Sequence, residues 1–361
     1  MNLLYDHQIF SLQEFGGISR YFYELISFLE KDTFIDVSGY YSNNYYLEKT
    51  KYKKKSFFKN ISFRGKRSFL NLINKRDSIS KIKRNEYNVF HPTYYDTYFS
   101  DYINKKPFVI TFHDMIHEKF SSLFPENDIT KKWKKEIAQK ASKIIAISEN
   151  TKKDLLDIYN IEEEKIEVIY HGNSINLSNE VEININLPNN YLLFVGNRNG
   201  YKNFRLFIES VSSIINKEKI NILCVGGGKF SKEEIALFVS KGIEHRIEQR
   251  NLNDNQLIKA YKNALAFIYP SLYEGFGMPI LEAYACSCPL VCSETSCFPE
   301  IAKEGASYFN PLDIESIRYA IEAVLYNETY KKGLINKGKE IEKLFSWEKT
   351  CKQTLDLYKT L

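Results

Sequence analysis

The sequence predicts an α/β protein built from two doubly wound, parallel-sheet domains. Length is the first pointer: 361 residues, at roughly 100 to 200 residues per domain, suit two of them. The second is rhythm, since short apolar runs rich in β-branched and aromatic residues alternate with segments of helical period. The third is an interruption. A polar, Asn-rich stretch at 171–190 breaks the rhythm, which restarts with the apolar run 191–195.

In the first half, strands are expected at 2–9, 35–41, 88–91, 108–113, 143–147 and 166–170. Between them Ile18, Phe22, Leu25, Ile26 and Leu29 recur at helical spacing, as do Trp133, Ile137 and Ala141. Ser148 has the side chain of an N-cap, for a helix running to about Tyr159. The stretch 171–190 reads as the domain linker. In the second half, strands are expected at 191–195, 220–225, 246–249, 264–269, 289–292 and 307–310, and helices at 203–215, 232–240, 254–263, 279–285 and 314–326. The tail, 328–361, is helical in pattern with no strand after it, so it can pack outside its own sheet. Domains are thus expected at 1–175 and 176–345, followed by a final helix at 346–361. Two doubly wound halves facing each other would place a cleft between them, with ligands outside the carboxyl ends of the strands.

Composition removes several classes. With 43% hydrophobic residues and only 16 Gly and 9 Pro, the chain is neither disordered nor dominated by linkers. No run approaches the roughly 18 to 20 apolar residues of a spanning helix, and Asp6 stands where a signal peptide would keep an apolar core. A cytoplasmic chain is therefore expected. Its six cysteines, four of them within 286–297, read as reduced, buried thiols. Cys286, Cys288, Cys292 and Cys297 show no paired C-x2-C knuckles and no nearby His, so no metal site is expected. The net charge of +5 is unevenly spread. Between Lys49 and Arg84 a dense basic run includes Lys53, Lys54, Lys55, Lys59, Arg64, Lys66, Arg67, Lys75, Arg76, Lys81, Lys83 and Arg84, interleaved with Phe57, Phe58, Phe63 and Phe69. It reads either as a solvated helix and loop over the core or as a surface for anionic membrane, where each cation contributes roughly 1 kcal/mol. No nucleic-acid motif accompanies it, so nucleic acid is not an expected partner.

The most informative segment is 269–283, from Tyr269 through Glu274-Gly275-Phe276-Gly277-Met278-Pro279 to Glu282 and Ala283. It follows an expected strand and opens a helix. Gly275 and Gly277 let the backbone approach a ligand, and Pro279 suits a first helical turn, where free N–H groups favour an anion. Glu274 and Glu282 can both face a ligand, and an ionised carboxylate can accept from two neighbouring sugar hydroxyls. A capped helix with two solvated glutamates fits the same pattern. A second strand-to-helix junction, 195–203, holds Arg198, able to grip phosphate oxygens bidentately, and Lys202, a point charge one turn later. Together they can neutralise a diphosphate without a metal.

Three weaker signals complete the set. Gly16 and Gly17, within the segment 15–20, lie between the first strand and first helix, where a phosphate cradle and a plain tight turn are both compatible. His113-Asp114 ends an expected strand; His113 and His117 are four apart, but on strand and loop, so His113 fits a contact to a substrate hydroxyl better than a metal pair. The run Val225-Gly226-Gly227-Gly228-Lys229 matches neither G-x-G-x-x-G nor G-x4-G-K-[ST].

Glu274 and Glu282 form an E-x7-E pair. Together with the 15–20 segment, His113-Asp114, Arg198 with Lys202, and Phe298-Pro299-Glu300, in that order along the chain, they make the sequence resemble the retaining glycosyltransferases of family 4, and among them those of bacterial polysaccharide and O-antigen synthesis. The resemblance implies the GT-B fold, two Rossmann-like domains facing a central cleft, the first holding the acceptor and the second the nucleotide sugar. The last helix would cross back to the first domain. Matched position by position, Glu274 would bind donor-sugar hydroxyls, Glu282 the ribose diol, Arg198 and Lys202 the diphosphate, and Gly17, next to Gly16, a phosphate. His113 would sit beside the transferred sugar. Gly275, Phe276, Gly277, Met278 and Arg250 complete the donor-binding set. Two positions depart from the family: Ser287 where a Gly is common, and His171-Gly172-Asn173-Ser174 in place of Asn-Gly-x-Asp.

The function expected from this resemblance is metal-independent, retaining transfer of a hexose from a GDP- or UDP-linked donor, mannose favoured. The acceptor would be a growing bacterial surface glycan, lipid-linked or free, handled by a cytoplasmic enzyme peripheral to the inner membrane, with no cofactor beyond the donor itself. A nucleotide-sugar epimerase or hydrolase, and a non-catalytic sugar-nucleotide-binding protein, are the alternatives.

Overall fold

The computed structural model of the protein describes residues 1–58, 61, 63–175, 177 and 185–361. Lys59 of the basic run, and residues 176 and 178–184 of the expected linker, lie outside the described residues. The chain divides into two units, Met1–Gly172 with Trp347–Leu361, and Asn173–Ser346.

In the first unit, β1 (Asn2–Tyr5) lies between β2 (Phe34–Val37) and β3 (Val89–His91), all parallel. A parallel bridge from Phe90 to Phe108 leads on to β4 (Val109–Phe112), which continues into β5 (Lys143–Ala146) and β6 (Ile166–Val168). The order β2-β1-β3-β4-β5-β6 switches direction between β1 and β3. Its strands are apolar on both faces because helices cover both. The helix Gly17–Leu29 buries Tyr21, Phe22, Leu25, Ile26 and Leu29, the face its periodicity predicts. Ser148 caps the helix Glu149–Tyr159, its Oγ accepting from the Thr151 N–H at 3.0 Å.

The second unit has one six-stranded parallel sheet. Its strands are β7 (Tyr191–Val195), β8 (Asn221–Val225), β9 (Ile247–Arg250), β10 (Ala266–Tyr269), β11 (Leu290–Ser293) and β12 (Ala306–Phe309), in the order β9-β8-β7-β10-β11-β12. Here the switch falls between β7 and β10. Leu192, Phe194, Ile222, Cys224 and Ile268 from the sheet pack with Phe207, Ile208 and Val211 of the helix Phe204–Glu218 and with Ile317, Ile321 and Val324 of the helix Ile314–Tyr326.

Every expected strand exists, mostly shorter than its apolar run. The first run stops at Tyr5 because the Asp6 carboxylate turns the chain: it accepts from the Gln8 N–H at 3.2 Å, and the helix Gln8–Leu12 follows. The helical tail forms two helices, Glu328–Glu342 and Trp347–Lys359. The second belongs to the first unit, where Cys351, Leu357 and Tyr358 join the core and the Tyr358 hydroxyl hydrogen-bonds His91 Nδ1 at 2.6 Å.

The basic run contains a 19-residue helix, Lys66–Arg84, whose buried face is Leu70, Asn74, Ser78 and Ile82. Its polar members have partners. Asn74 Oδ1 accepts from the Tyr40 and Tyr41 N–H groups, and Ser78 Oγ meets His7 Nδ1 at 2.6 Å. Several cations are spent inside the fold: Lys81 pairs with Asp36 at 2.6 Å, Lys75 with Asp96 at 3.7 Å, and Lys54 donates to the Val37 carbonyl at 2.5 Å. Lys53, Lys55, Arg64, Arg67, Arg76, Lys83 and Arg84 are exposed.

Candidate functional site

In an open doubly wound sheet, the loops after the two strands flanking the switch splay to opposite sides, opening a crevice at the carboxyl ends. In the second unit those strands are β7 and β10, and they carry the two motifs singled out in the sequence. The segment after β7 runs from Gly196, at φ +120°, through a short 3-10 turn, Gly200–Lys202. The segment after β10 leads into the helix Met278–Ala285, whose N-cap Gly277 is left-handed at φ +85°. A Cβ on Gly277 would meet Ile280 Cδ1 at 3.0 Å and the Phe298 ring at 3.2 Å, so the loop lies close against its neighbours there.

The two segments meet through charge. Lys202 Nζ donates to Glu274 Oε1 at 2.5 Å, and both side chains keep some access to solvent, at 14% and 12% exposure. The Leu272 N–H also donates to the Tyr201 carbonyl at 2.7 Å. Behind Glu274 the loop is pinned by the turn after β11. Ser296 Oγ accepts from the Glu274 N–H and donates to its carbonyl, both at 3.1 Å, and Thr295 Oγ1 donates to the Leu272 carbonyl. Glu282, on the helix Met278–Ala285, accepts from the buried Tyr261 hydroxyl at 3.1 Å. Gly275, Phe276 and Gly277 are buried, and Met278 and Pro279 are half-buried.

Arg198 stands in the same segment as Lys202 but turns inward, its side chain only 3% exposed. Its Nε donates to Glu234 Oε1 at 2.6 Å, Nη1 to the Gly226 carbonyl at 3.1 Å, and Nη2 to those of Gly228 and Lys229 at 3.0 and 3.1 Å. Arg250, at the end of β9, pairs with Glu248 at 3.0 Å and donates to the Asn186 carbonyl.

The remaining candidates belong to the first unit. The helix Gly17–Leu29 starts at Gly17, which is exposed, after the extended N-cap Gly16; Gln13 Oε1 accepts from the Ser19 N–H at 3.2 Å. Tyr21 of that helix sets the edge of its ring against His113, centroids 5.2 Å apart. His113, just past β4, is buried, and its Nε2 finds no hydrogen-bond partner among the described residues. Burial pushes its pKa down to about 4, so the ring is neutral near pH 7. The next residue is anchored by a buried cation: Lys134 Nζ donates to the Asp114 carbonyl and to Glu118 Oε2, each at 2.8 Å, and Glu118 in turn accepts from Tyr159. His117 instead stacks on Phe124.

Sequence pattern thus located Lys202, Glu274 and Glu282, and missed Ser296, Thr295, Tyr261 and Glu234, which hold the loops. A Thr-Ser pair ahead of the helix Phe298–Ala302 is a helix-entry signal, but its second use on the Glu274 loop is a long-range fact. The departures from the family pattern are accommodated. Ser287 takes the left-handed conformation, φ +56°, that explains a glycine there, and Asn173 donates to Glu342 Oε1 at 2.8 Å.

Comparison with known proteins agrees with this geometry. Residues 15–176 match the family model described as Glycosyltransferase Family 4, and residues 178–341 match that of Glycosyl transferases group 1. The O-antigen chain mannosyltransferase B of Escherichia coli is 31% identical over 175 residues, covering 47% of this chain and 46% of that protein. The O-antigen chain mannosyltransferase RfbU of Salmonella typhimurium is 29% identical over 216 residues, 60% of each. The chain therefore spans less than two thirds of the length of these curated relatives. Among solved structures, the sucrose-phosphate synthase of Thermosynechococcus elongatus superposes with a TM-score of 0.80 over 99% of this chain and 98% of that one, at 18% identity, a likeness of fold. With two Rossmann-like units, the E-x7-E pair after β10 and both halves of the family matched in order, the chain belongs to the family 4 (group 1) glycosyltransferases of the GT-B fold.

Proposed function

We propose that the protein transfers a hexose, with retention of anomeric configuration and without a metal, from a nucleoside-diphosphate sugar to a growing bacterial surface glycan. The second unit binds the donor and the first the acceptor. The observation that carries this reading is the Lys202–Glu274 pair at the switch between β7 and β10. It sets an ammonium for a diphosphate beside a carboxylate for sugar hydroxyls at the place where such sheets bind nucleotides. Glu282 is the acceptor for a ribose diol. The O-antigen mannosyltransferases among the relatives support mannose as the sugar, which the proposal places on a GDP or UDP carrier.

In the reaction the bond from the anomeric carbon to the diphosphate oxygen breaks and a bond to the acceptor hydroxyl forms on the same face. The acceptor proton passes to the departing phosphate. Negative charge grows on that leaving group, where Lys202 and the positive end of the helix Met278–Ala285 stabilise it without reorganising. His113, neutral and with Nε2 unpartnered among the described residues, is suited to a hydroxyl of the transferred sugar.

The acceptor side is proposed to work at the cytoplasmic face of the inner membrane. No helix among the described residues is long and apolar enough to span a bilayer. Exposed Phe58, Ile61, Phe63, Phe69 and Leu72 lie in the same stretch as the exposed cations Lys53, Lys55, Arg64 and Arg67, a combination that suits an anionic lipid surface.

The test is incubation of the full chain with GDP-mannose, UDP-glucose and UDP-N-acetylglucosamine, with and without lipid-linked glycan acceptors, in EDTA. An α-linked product from an α-linked donor supports the reading. Donor consumption without acceptor would mark a hydrolase or epimerase, and activity restored only by Mg or Mn would overturn the metal-free mechanism.

A further inference from the structure

Arg198 and Lys202 are close in sequence, yet the fold treats them oppositely. A guanidinium can grip a phosphate only with two N–H groups of one edge directed outward. In Arg198 the Nε edge is taken by Glu234, Nη1 reaches the Gly226 carbonyl, and Nη2 reaches the carbonyls of Gly228 and Lys229. Aromatic rings cover it as well, with the guanidinium carbon 4.7 Å from the Phe230 centroid and 5.8 Å from that of Phe204. Freeing it for a ligand would strip the half-buried Glu234 carboxylate and several carbonyls of their partner.

What the guanidinium holds is unusual. Gly226, Gly227 and Gly228 are left-handed in succession, at φ +84°, +72° and +71°. Residues other than glycine adopt such a conformation only with strain between Cβ and the backbone. At Gly227 a Cβ would also lie 2.6 Å from Arg198 Nη1 and 2.9 Å from the Gly196 carbonyl oxygen. The turn leaves the carboxyl end of β8, beside β7, and is tied to its neighbours: the Gly226 N–H donates to the Arg250 carbonyl of β9, and the Gly196 N–H to the Val225 carbonyl. Gln249 Nε2 donates to the Gly226 carbonyl at 3.2 Å. The segment that carries Lys202 is thereby joined through Arg198 to the glycine turn and, through Glu234, to the helix Lys232–Lys241.

We infer that Arg198 is a positioning residue for the donor: its guanidinium shapes the Gly226–Gly228 turn and joins it to the loop after β7, while Lys202 is the cation that meets the diphosphate. This rests on the donor reading of the second unit and assigns its two cations different work. A direct contact to the leaving group is felt most in the transition state and appears in kcat. A contact made through a loop that shapes the empty site appears in donor affinity. Glu234, which touches the site only through Arg198, must share the effect.

The test compares wild type with Arg198→Ala, Arg198→Lys, Glu234→Gln and the Arg198→Ala/Glu234→Gln double variant. For each, donor KM and kcat are measured with the nucleotide sugar the wild type uses, alongside the melting temperature. Glu234→Gln keeps size and an acceptor oxygen, so it reports even where Arg198→Ala folds poorly. The expected result is a rise of about tenfold in donor KM for Arg198→Ala, less for Glu234→Gln, with kcat within about threefold of wild type. Arg198→Lys should not rescue, since one ammonium cannot replace the planar fork. The double variant should be no worse than Arg198→Ala, because both remove one connection. A hundredfold fall in kcat for Arg198→Ala at saturating donor, with Glu234→Gln like wild type, would put Arg198 on the diphosphate and overturn the inference. So would unchanged KM in folded Arg198→Ala, with wild type still using its donor. A wild type that uses no nucleotide sugar at all would overturn the donor reading and this inference with it.

Discussion

The two units have the same kind of switch point and furnish it differently. In the first, β1 ends at Asp6, whose carboxylate is wholly buried and saturated: Oδ1 accepts from the Thr93 N–H at 2.8 Å and hydroxyl at 2.7 Å, and Oδ2 from Gln8 Nε2 at 2.8 Å and the Tyr98 hydroxyl at 3.0 Å. In the second, the charges flanking the switch include Lys202 and Glu274, paired with each other across the two loops and partly open to water, with the Tyr269 side chain also hydrogen-bonded to Glu274. A charge satisfied on every side is a structural rivet. A charge held by few partners where water still reaches it, as at Lys202 with 14% and Glu274 with 12% exposure, can exchange a partner for a ligand more readily than one saturated on every side. On the proposed reading this difference assigns the small anionic ligand to the carboxyl ends of β7 and β10 in the second unit, and the following outcomes would sharpen or break that contrast.

The largest effect is expected at the open pair. Lys202→Ala should lower kcat on the order of a hundredfold to a thousandfold at saturating donor, with little change in melting temperature. Turnover within threefold of wild type would remove Lys202 from the mechanism.

At the closed switch point the pattern should invert. Asp6→Ala leaves the Thr93 and Gln8 donors without an acceptor and should lower stability by about 3 kcal/mol or more, read by urea unfolding of the first unit. Lys134→Met, which uncovers Asp114 and the buried Glu118, should lower it by about 3 to 5 kcal/mol. Full stability in both variants would mean that these buried charges are not the rivets their contacts describe.

A pH effect separates the units further. Burial lowers the pKa of His91 to about 3, of His113 to about 4, and that of His171 as well, all in the first unit. Unfolded, each protonates near 6.5. Between that value and about 4 the unfolded chain binds more protons than the native one, so stability should fall as pH drops through this window. His7 and His117 of the same unit are lowered by burial as well; each such histidine contributes up to about 1.4 kcal/mol per pH unit, and His113→Gln should reduce the slope by about that amount. Urea titrations between pH 7 and 4 give the slope; an unchanged slope in the variant would mean that His113 is protonated in the native state.

The smallest effect lies outside both switch points. Lys53→Ser, Lys55→Ser, Arg64→Ser and Arg67→Ser together should weaken sedimentation with anionic vesicles at low salt, by roughly 1 kcal/mol per charge, and spare transfer to a soluble acceptor. Equal sedimentation of variant and wild type would return the run to a solvated surface.

Much of the fold was legible because the strands are apolar on both faces and the helices keep a strict period: the run 191–195 and the Ile18 to Leu29 face appear as the pattern predicts. The end of β1 was not, because Ile9 and Phe10 continue the apolar run, and only the side chain of Asp6 turns it into a helix. Within the basic run the buried Asn74 and Ser78 carry no apolar signal; their places are set by partners more than thirty residues away in sequence. At the candidate site, Glu274 and Lys202 were legible as charges at strand-to-helix junctions. The inward turn of Arg198 was not. It depends on Glu234 and on a glycine turn whose left-handed backbone appears only in three dimensions.

The most direct test of the contrast is hydrogen–deuterium exchange of the full chain with and without GDP-mannose and UDP-glucose. The account predicts slowed exchange in 196–203 and 270–282 with at least one of these donors, and unchanged exchange in 5–10 and 92–98. Protection confined to 5–10 and 92–98 would place the nucleotide at the switch point of the first unit and contradict the assignment of the donor to the second.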